Sequence, residues 1–135
     1  MREIKFRGFR NFEGNILYPP DKRWIYGYFI KEGDICWIRD VSDPSMTYVV
    51  IPESIRQYTG LKDKNGKEVY EGDIYKQPRN NSLVDGEVKE YIIGDIRFDN
   101  GIYWCMEGDH IFNRIKWTGE VIGNIYENPE LLEVK

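Results

Sequence analysis

Apolar and polar residues alternate in short runs along this chain, and glycine and proline cut the runs apart. In the opening segment Ile4 and Phe6 fall on one side and Lys5 and Arg7 on the other, a half-buried strand in which Phe9 shares the side of Arg7. Residues 11–23 hold Gly14 and Pro19-Pro20 and read as loop. A ring-dense strand over 24–31 turns through Glu32-Gly33-Asp34 into a second strand over 35–39, a hairpin by local chemistry. Residues 40–46 are loop, residues 47–51 a short β-branched strand, and Pro52 opens one helical turn. Asn65-Gly66 is the strongest turn signal and reads as type I′, followed by a strand over 67–70. After the turn at Glu71-Gly72-Asp73 the pattern predicts a strand from Ile74, an exposed loop over 78–86 and a long strand over 88–98 bent at Gly94. Asp99-Asn100-Gly101 closes a hairpin into 102–106, residues 107–113 read as loop, and 116–126 as a final strand interrupted by Gly119 and Gly123. Asn128-Pro129-Glu130 starts a last helical turn or an extended tail.

One device recurs. Glycine, then Asp or Asn, then isoleucine appears at Gly14, Gly33, Gly72, Gly94 and Gly123, at spacings too irregular for a solenoid. Glycine supplies the kink, the short polar side chain bonds the local backbone, and isoleucine restarts the strand. The row of carboxylates is therefore read as a set of turn residues.

Composition sharpens the β assignment. The chain of 135 residues has ten Tyr, six Phe and four Trp and no alanine. Rings fit a pleated, half-buried surface, while the best helix former is missing. The length suits a single domain, residues 1–135, with sub-lobes at about 1–55 and 56–135. No apolar run approaches the roughly 20 residues of a membrane-spanning helix. The charge alternation of residues 1–5 does not make a signal-peptide core, so cytoplasmic residence is expected. Cys36 and Cys105 lie in strand-like surroundings and are expected to be reduced, buried thiols.

The charge is uneven. Residues 1–31 carry seven Lys/Arg against three Asp/Glu, a net of +4, while the rest carries twelve against twenty, a net of −8, giving −4 overall. A basic arm can steer toward nucleic acid or an acidic surface, or pair with the acidic remainder of its own or a sister chain.

Three blocks carry a resemblance. The segment from Gln57 through Tyr58-Thr59-Gly60-Leu61-Lys62-Asp63-Lys64-Asn65-Gly66 to Ile74 is similar to the central signature of the YopX family. Val121-Ile122-Gly123-Asn124-Ile125-Tyr126-Glu127-Asn128-Pro129-Glu130-Leu131-Leu132 resembles its C-terminal signature, and Ile4-Lys5-Phe6-Arg7 its opening. Gly8-Phe9 departs from the Ala-Trp that often follows that opening. Residues 78–92 and 105–116 match no part of the pattern. The resemblance implies a small β-rich protein encoded by phages and prophages and acting inside the bacterial cell. It carries over no catalytic residues.

The chemistry-bearing residues are sparse. His110 is the single histidine, and Glu107-Gly108-Asp109-His110 is the one local cluster with ligand chemistry, an ordinary solvated turn in composition. No metal or cofactor is expected. No Gly-rich run ending in Lys-Ser/Thr leads into a helix, so no phosphate loop is present, and no enzymatic activity is expected. Arg7, Phe9, Lys22, Arg23 and Trp24 combine the net-positive region with rings and form the candidate binding surface. Twenty rings also suit an interface, and strand edges need covering, so self-association is expected alongside an unidentified host or phage macromolecule. The expectation is a mostly β, antiparallel fold, barrel-like or meandering, with at most short helical turns. Its role is that of a non-enzymatic binding or scaffold protein, the alternative being a nucleic-acid-binding small β-barrel.

Overall fold

A computed structural model of the chain describes residues 3–10 and 23–133, which form two compact units, Met1–Tyr58 and Thr59–Lys135. The loop expected over 11–23 lies outside the described residues except for Arg23.

The first unit is an antiparallel meander. Strands β1 (Phe6–Phe9), β2 (Trp24–Glu32), β3 (Ile35–Asp40) and β4 (Thr47–Val50) neighbour one another in sequence order, and the start of β5 (Arg56–Lys62) flanks β1 on its other side. Gly33 adopts φ 59°, and Glu32 then pairs with Ile35, fixing the β2–β3 register through Tyr28 opposite Arg39 to Gly27 opposite Asp40. Alternation then sorts the side chains. Ile25, Cys36, Ile38, Tyr48 and Val50 take one face and make the core, with Phe6, Met46 and Ile55 packed against it. A 3-10 turn at Pro52–Ser54 follows β4, and the Ser54 hydroxyl accepts the Phe9 N–H at 2.8 Å, tying that turn to β1. One isolated bridge joins Arg10 to Val50, and among the described residues no continuing ladder closes the sheet. Of the two expected forms, the fold is the meander and not the barrel.

The second unit takes up β5 from Thr59 and pairs it with β6 (Glu68–Tyr70); the Thr59 hydroxyl donates to the Val69 carbonyl at 2.7 Å. Its main sheet has the order β12 (Ile111–Arg114), β11 (Ile102–Glu107), β10 (Tyr91–Asp99), β7 (Asp73–Pro78), β13 (Glu120–Asn124), all antiparallel. Val69, Tyr75, Ile92, Ile96 and Cys105 form its core. A small hairpin of β8 (Leu83–Val84) and β9 (Glu87–Val88) and a terminal 3-10 turn (Pro129–Leu132) complete it.

Several expectations change. The loop expected over 78–86 contains β8, and the long strand expected from 88 to 98 is broken between β9 and β10. Gly94 sits in mid-strand opposite Tyr75, where a Cβ would lie 2.3 Å from the Met106 carbonyl oxygen. Asp95 therefore serves no turn: it is buried and grips Arg97 in a bidentate pair at 2.6 and 3.1 Å. Of Asn65-Gly66 only Gly66 has positive φ, so that turn is not type I′. The paired positive φ of type I′ occurs at Asp85-Gly86 and at Asn100-Gly101. Residues 116–119 leave the ladder as well. The Tyr75 hydroxyl donates to the Lys116 carbonyl at 2.6 Å, and buried Gln77 bonds the Arg114 carbonyl and the Lys116 N–H at 2.9 and 3.0 Å. These side chains replace strand pairing there.

Both cysteines are free and buried. Burial pushes the Cys105 thiol up to about 12, with Asp95 and Glu107 adding to the effect. A thiol-specific chromogenic reagent is therefore expected to leave Cys105 unmodified in the native protein at pH 8 and to modify both cysteines in denaturant. Rapid native reaction at Cys105 would contradict the packing around it.

Candidate functional site

The face of the first unit opposite its core is built by the same registers. Phe9 lies directly opposite Trp24, Arg7 opposite Tyr26 on one side and Arg56 on the other, Tyr28 opposite Arg39, and Ile30 opposite Trp37. Directly opposed residues share a face, so Arg7, Phe9, Trp24, Tyr26, Tyr28, Trp37, Arg39 and Arg56 stand together. Among the described strand residues of this face the charges are Arg7, Arg39 and Arg56, with Glu32 the one acid, at the hairpin tip. In a chain of net charge −4 that is a marked segregation.

The rings and cations are already in contact. Phe9 meets Trp24 edge-on with centroids 5.1 Å apart, and the Arg7 guanidinium lies over the Trp24 ring at 4.9 Å. A guanidinium over an indole is a cation–π contact, strongest where solvent is excluded; Arg7 is buried. Arg56 is folded back, donating to the carbonyls of Glu53 and Ile55 at 2.9 and 2.8 Å. Tyr28 is 58% exposed and Arg39 is exposed beside it, with Trp37 partly buried on the adjoining row.

Of the five candidates read from sequence, Arg7, Phe9 and Trp24 are brought together. Arg23 is exposed just ahead of β2, its carbonyl accepting the Arg10 N–H at 2.8 Å, and Lys22 lies outside the described residues. Tyr26, Tyr28, Trp37, Arg39 and Arg56 belong to the same surface and were not singled out. The signal for most of them was present: a turn at Gly33-Asp34 fixes which residues of the two flanking strands face each other.

The acidic turn near His110 is arranged differently. Arg79 bonds both carboxylate oxygens of Glu107 at 2.9 and 3.4 Å, and the Asn113 amide donates to the same side chain at 3.2 Å. Arg97 donates to Asp109 at 2.9 Å, and its hydrogen bond to Asp95 holds its guanidinium even more firmly protonated than usual. Both carboxylates are thus neutralised by arginine. Among the described residues no group of three His, Cys, Asp or Glu side chains is placed to hold a metal ion, and no helix is long and apolar enough to cross a membrane.

A family model described as YopX protein matches residues 5–133. A crystal structure of a protein from Enterococcus faecalis is similar at 27% identity and a TM-score of 0.49, over 98% of this chain and 100% of that one. No curated protein matches the chain.

Proposed function

Because the chain belongs to the YopX family, we propose that it is a non-enzymatic accessory factor of phages or prophages that binds a macromolecule in the bacterial cytoplasm. The observation that carries this reading is the ring-and-arginine face of β1–β3, on which Tyr28 and Arg39 stand exposed beside Trp37, Tyr26 and Trp24. Among macromolecules the chemistry of this face favours single-stranded nucleic acid. Unpaired bases stack on aromatic side chains, and arginine neutralises phosphate. A duplex buries its bases and offers no ring faces to such a sheet. The non-enzymatic part is supported by the thiol of Cys105, held protonated by burial, and by the arginines that occupy Glu107 and Asp109.

Fluorescence anisotropy with a labelled single-stranded oligonucleotide tests the proposal. The full chain is expected to bind the single strand better than the matching duplex, with affinity falling as salt rises. Replacing Tyr28 and Trp37 together by alanine removes two stacking platforms and is expected to weaken binding by at least about tenfold, since one base–ring stack contributes about 1–3 kcal/mol. Arg39→Ala should weaken binding and flatten its salt dependence. Undiminished binding by the Tyr28→Ala/Trp37→Ala variant would remove this surface from the reading. Absence of salt-sensitive binding by the wild-type chain would end the nucleic-acid reading altogether.

A further inference from the structure

The main sheet of the second unit ends in two edges that are treated in opposite ways. At β13 the outer edge is occupied: the Asp63 carboxylate accepts the Val121 N–H at 3.0 Å, the Lys64 N–H donates to the Gly119 carbonyl at 3.0 Å, and a register shift between Val121 and Gly123 bulges the strand. Occupied and bulged edges do not recruit further strands. At β12 the last carbonyl is taken, the Gln77 amide donating to the Arg114 carbonyl at 2.9 Å, but among the described residues the strand has no bulge and no such bond at Ile111 or Phe112. The strand reads Ile111-Phe112-Asn113-Arg114, and β11 is its one neighbour. Ile111 and Phe112 are 54% and 45% exposed, without proline, lysine or bulge to blunt the edge.

The residues of this edge are complementary to themselves. Phe112 and Arg114 project to one face, where Trp104 lies beneath both: edge-on to Phe112 at 5.5 Å and under the Arg114 guanidinium at 5.7 Å. Exposed Ile102 extends the same apolar patch along β11. If two β12 strands run antiparallel about Asn113, residues whose numbers sum to 226 stand opposite. Phe112 then meets Arg114 twice, once on each side of the two-fold axis, and both pairs lie on the face that Trp104 occupies. The pairing is isologous, so it closes at two copies and leaves no free edge.

We infer that the outer edge of β12 pairs with β12 of a second copy of this chain, antiparallel about Asn113, with Phe112 of each copy stacked on the partner's Arg114. Backbone hydrogen bonds supply the pairing, the guanidinium–ring stacks set its register, and the patch of Ile102 and Trp104 is partly covered. None of these residues belongs to the face proposed above for nucleic acid.

Sedimentation equilibrium of the full chain over a range of concentrations reads the outcome. The wild-type chain is expected to show the mass of two copies, dissociating on dilution. Phe112→Lys sets a cation against the partner's Arg114, and Arg114→Glu sets an acid against the partner's Phe112, so each variant alone is expected to sediment as a monomer. An equimolar mixture of the two restores one Lys–Glu pair and one Phe–Arg pair and is expected to recover the two-copy species. Both substitutions are on an exposed strand, and circular dichroism checks that the sheet is intact. A wild-type chain that stays monomeric at the highest soluble concentration overturns the inference, as does a two-copy species untouched by both single substitutions. A mixture that remains monomeric overturns the register about Asn113.

Discussion

Gly27→Ala is expected to lower the stability of the first unit by about 3 kcal/mol, the upper part of the range for overpacking a well-filled interior. A Cβ at this position would lie 1.8 Å from the Arg39 carbonyl oxygen and about 3 Å from the Arg39 carbonyl carbon and the Val41 nitrogen. All three are backbone atoms of the neighbouring chain segment, so no side chain can swing aside. Relief requires β2 and β3 to part where Gly27 pairs with Asp40 and the Val41 N–H bonds the Tyr26 carbonyl at 2.8 Å. That close approach also sets the spacing of Tyr28 against Arg39 on the opposite face, so the substitution should also weaken the nucleic-acid binding proposed for that face. Gly33→Ala is the fitting comparison. A Cβ there meets nothing within 4 Å, and its φ of 59° should cost only about 1–2 kcal/mol. Urea denaturation midpoints compare the two. A Gly27→Ala protein at least as stable as Gly33→Ala would mean that the two strands are not this close.

The parts of the fold that were legible in the sequence are those whose cause is local. The β2–β3 hairpin follows from Glu32-Gly33-Asp34 between a ring-rich run and a second, largely apolar one, and the β10–β11 hairpin from Asn100-Gly101, whose two positive φ values suit a two-residue loop. Asp73 and Asn124 likewise do what short polar side chains after glycine do: Asp73 accepts the Tyr70 N–H at 2.7 Å, and Asn124 accepts the N–H groups of Tyr126 and Glu127 at 3.0 and 2.8 Å. Where the cause is distant, the pattern misled. In β12 two of the first three residues are exposed and the third only partly covered, so no alternation marks the strand and it reads as loop. In β5 burial runs in blocks rather than alternating, because the strand changes neighbours along its length. Residues 116–119 look strand-like but are held by Tyr75 and Gln77 from another element, a relation that no local spacing encodes.

The same distinction applies to the candidate surface. Alternation alone places Arg7 and Phe9 on one side of β1, and the structure keeps them there, stacked around Trp24. What the sequence does not display is the pairing of β1 with both β2 and β5, which brings Tyr26 and Arg56 to flank Arg7. The central and C-terminal segments that carry the family resemblance, by contrast, meet along the β7–β13 ladder of the second unit. Asp73 pairs with Asn124 and Ile74 with Gly123, and the Ile125 N–H bonds the Gly72 carbonyl at 2.8 Å. Their shared pattern is therefore accounted for by the β7–β13 ladder and its turns, and the surfaces proposed for binding lie elsewhere.

One carboxylate joins those two segments from outside the ladder. Asp63 accepts the N–H groups of Asn65 and Lys67 on one oxygen, both at 2.9 Å, and that of Val121 on the other at 3.0 Å. Burial by itself would raise its pKa, but the three backbone donors and nearby Lys67 outweigh it and hold the carboxyl below its usual 3.8. A carboxyl whose folded pKa is depressed adds stability that is fully present above its unfolded value, and loses it as pH falls through the folded value. Asp63→Ala strands three N–H groups at once and is expected to cost about 3 kcal/mol at pH 7, since a hydrogen bond to a charged group contributes about 1.5–3 kcal/mol and neighbouring bonds are not additive. Asp63→Asn keeps one carbonyl oxygen for the turn but offers an amide donor to a second donor, so the link to Val121 is lost and a smaller cost is expected. The pH series separates charge from shape. The gap between wild type and Asp63→Asn should be widest above about pH 5 and narrow steadily below pH 4, because the wild-type carboxyl itself becomes a neutral group there. Urea denaturation at pH 7, 5, 4 and 3 measures that gap, and a difference constant across the series would show that the Asp63 charge does not hold the turn to β13.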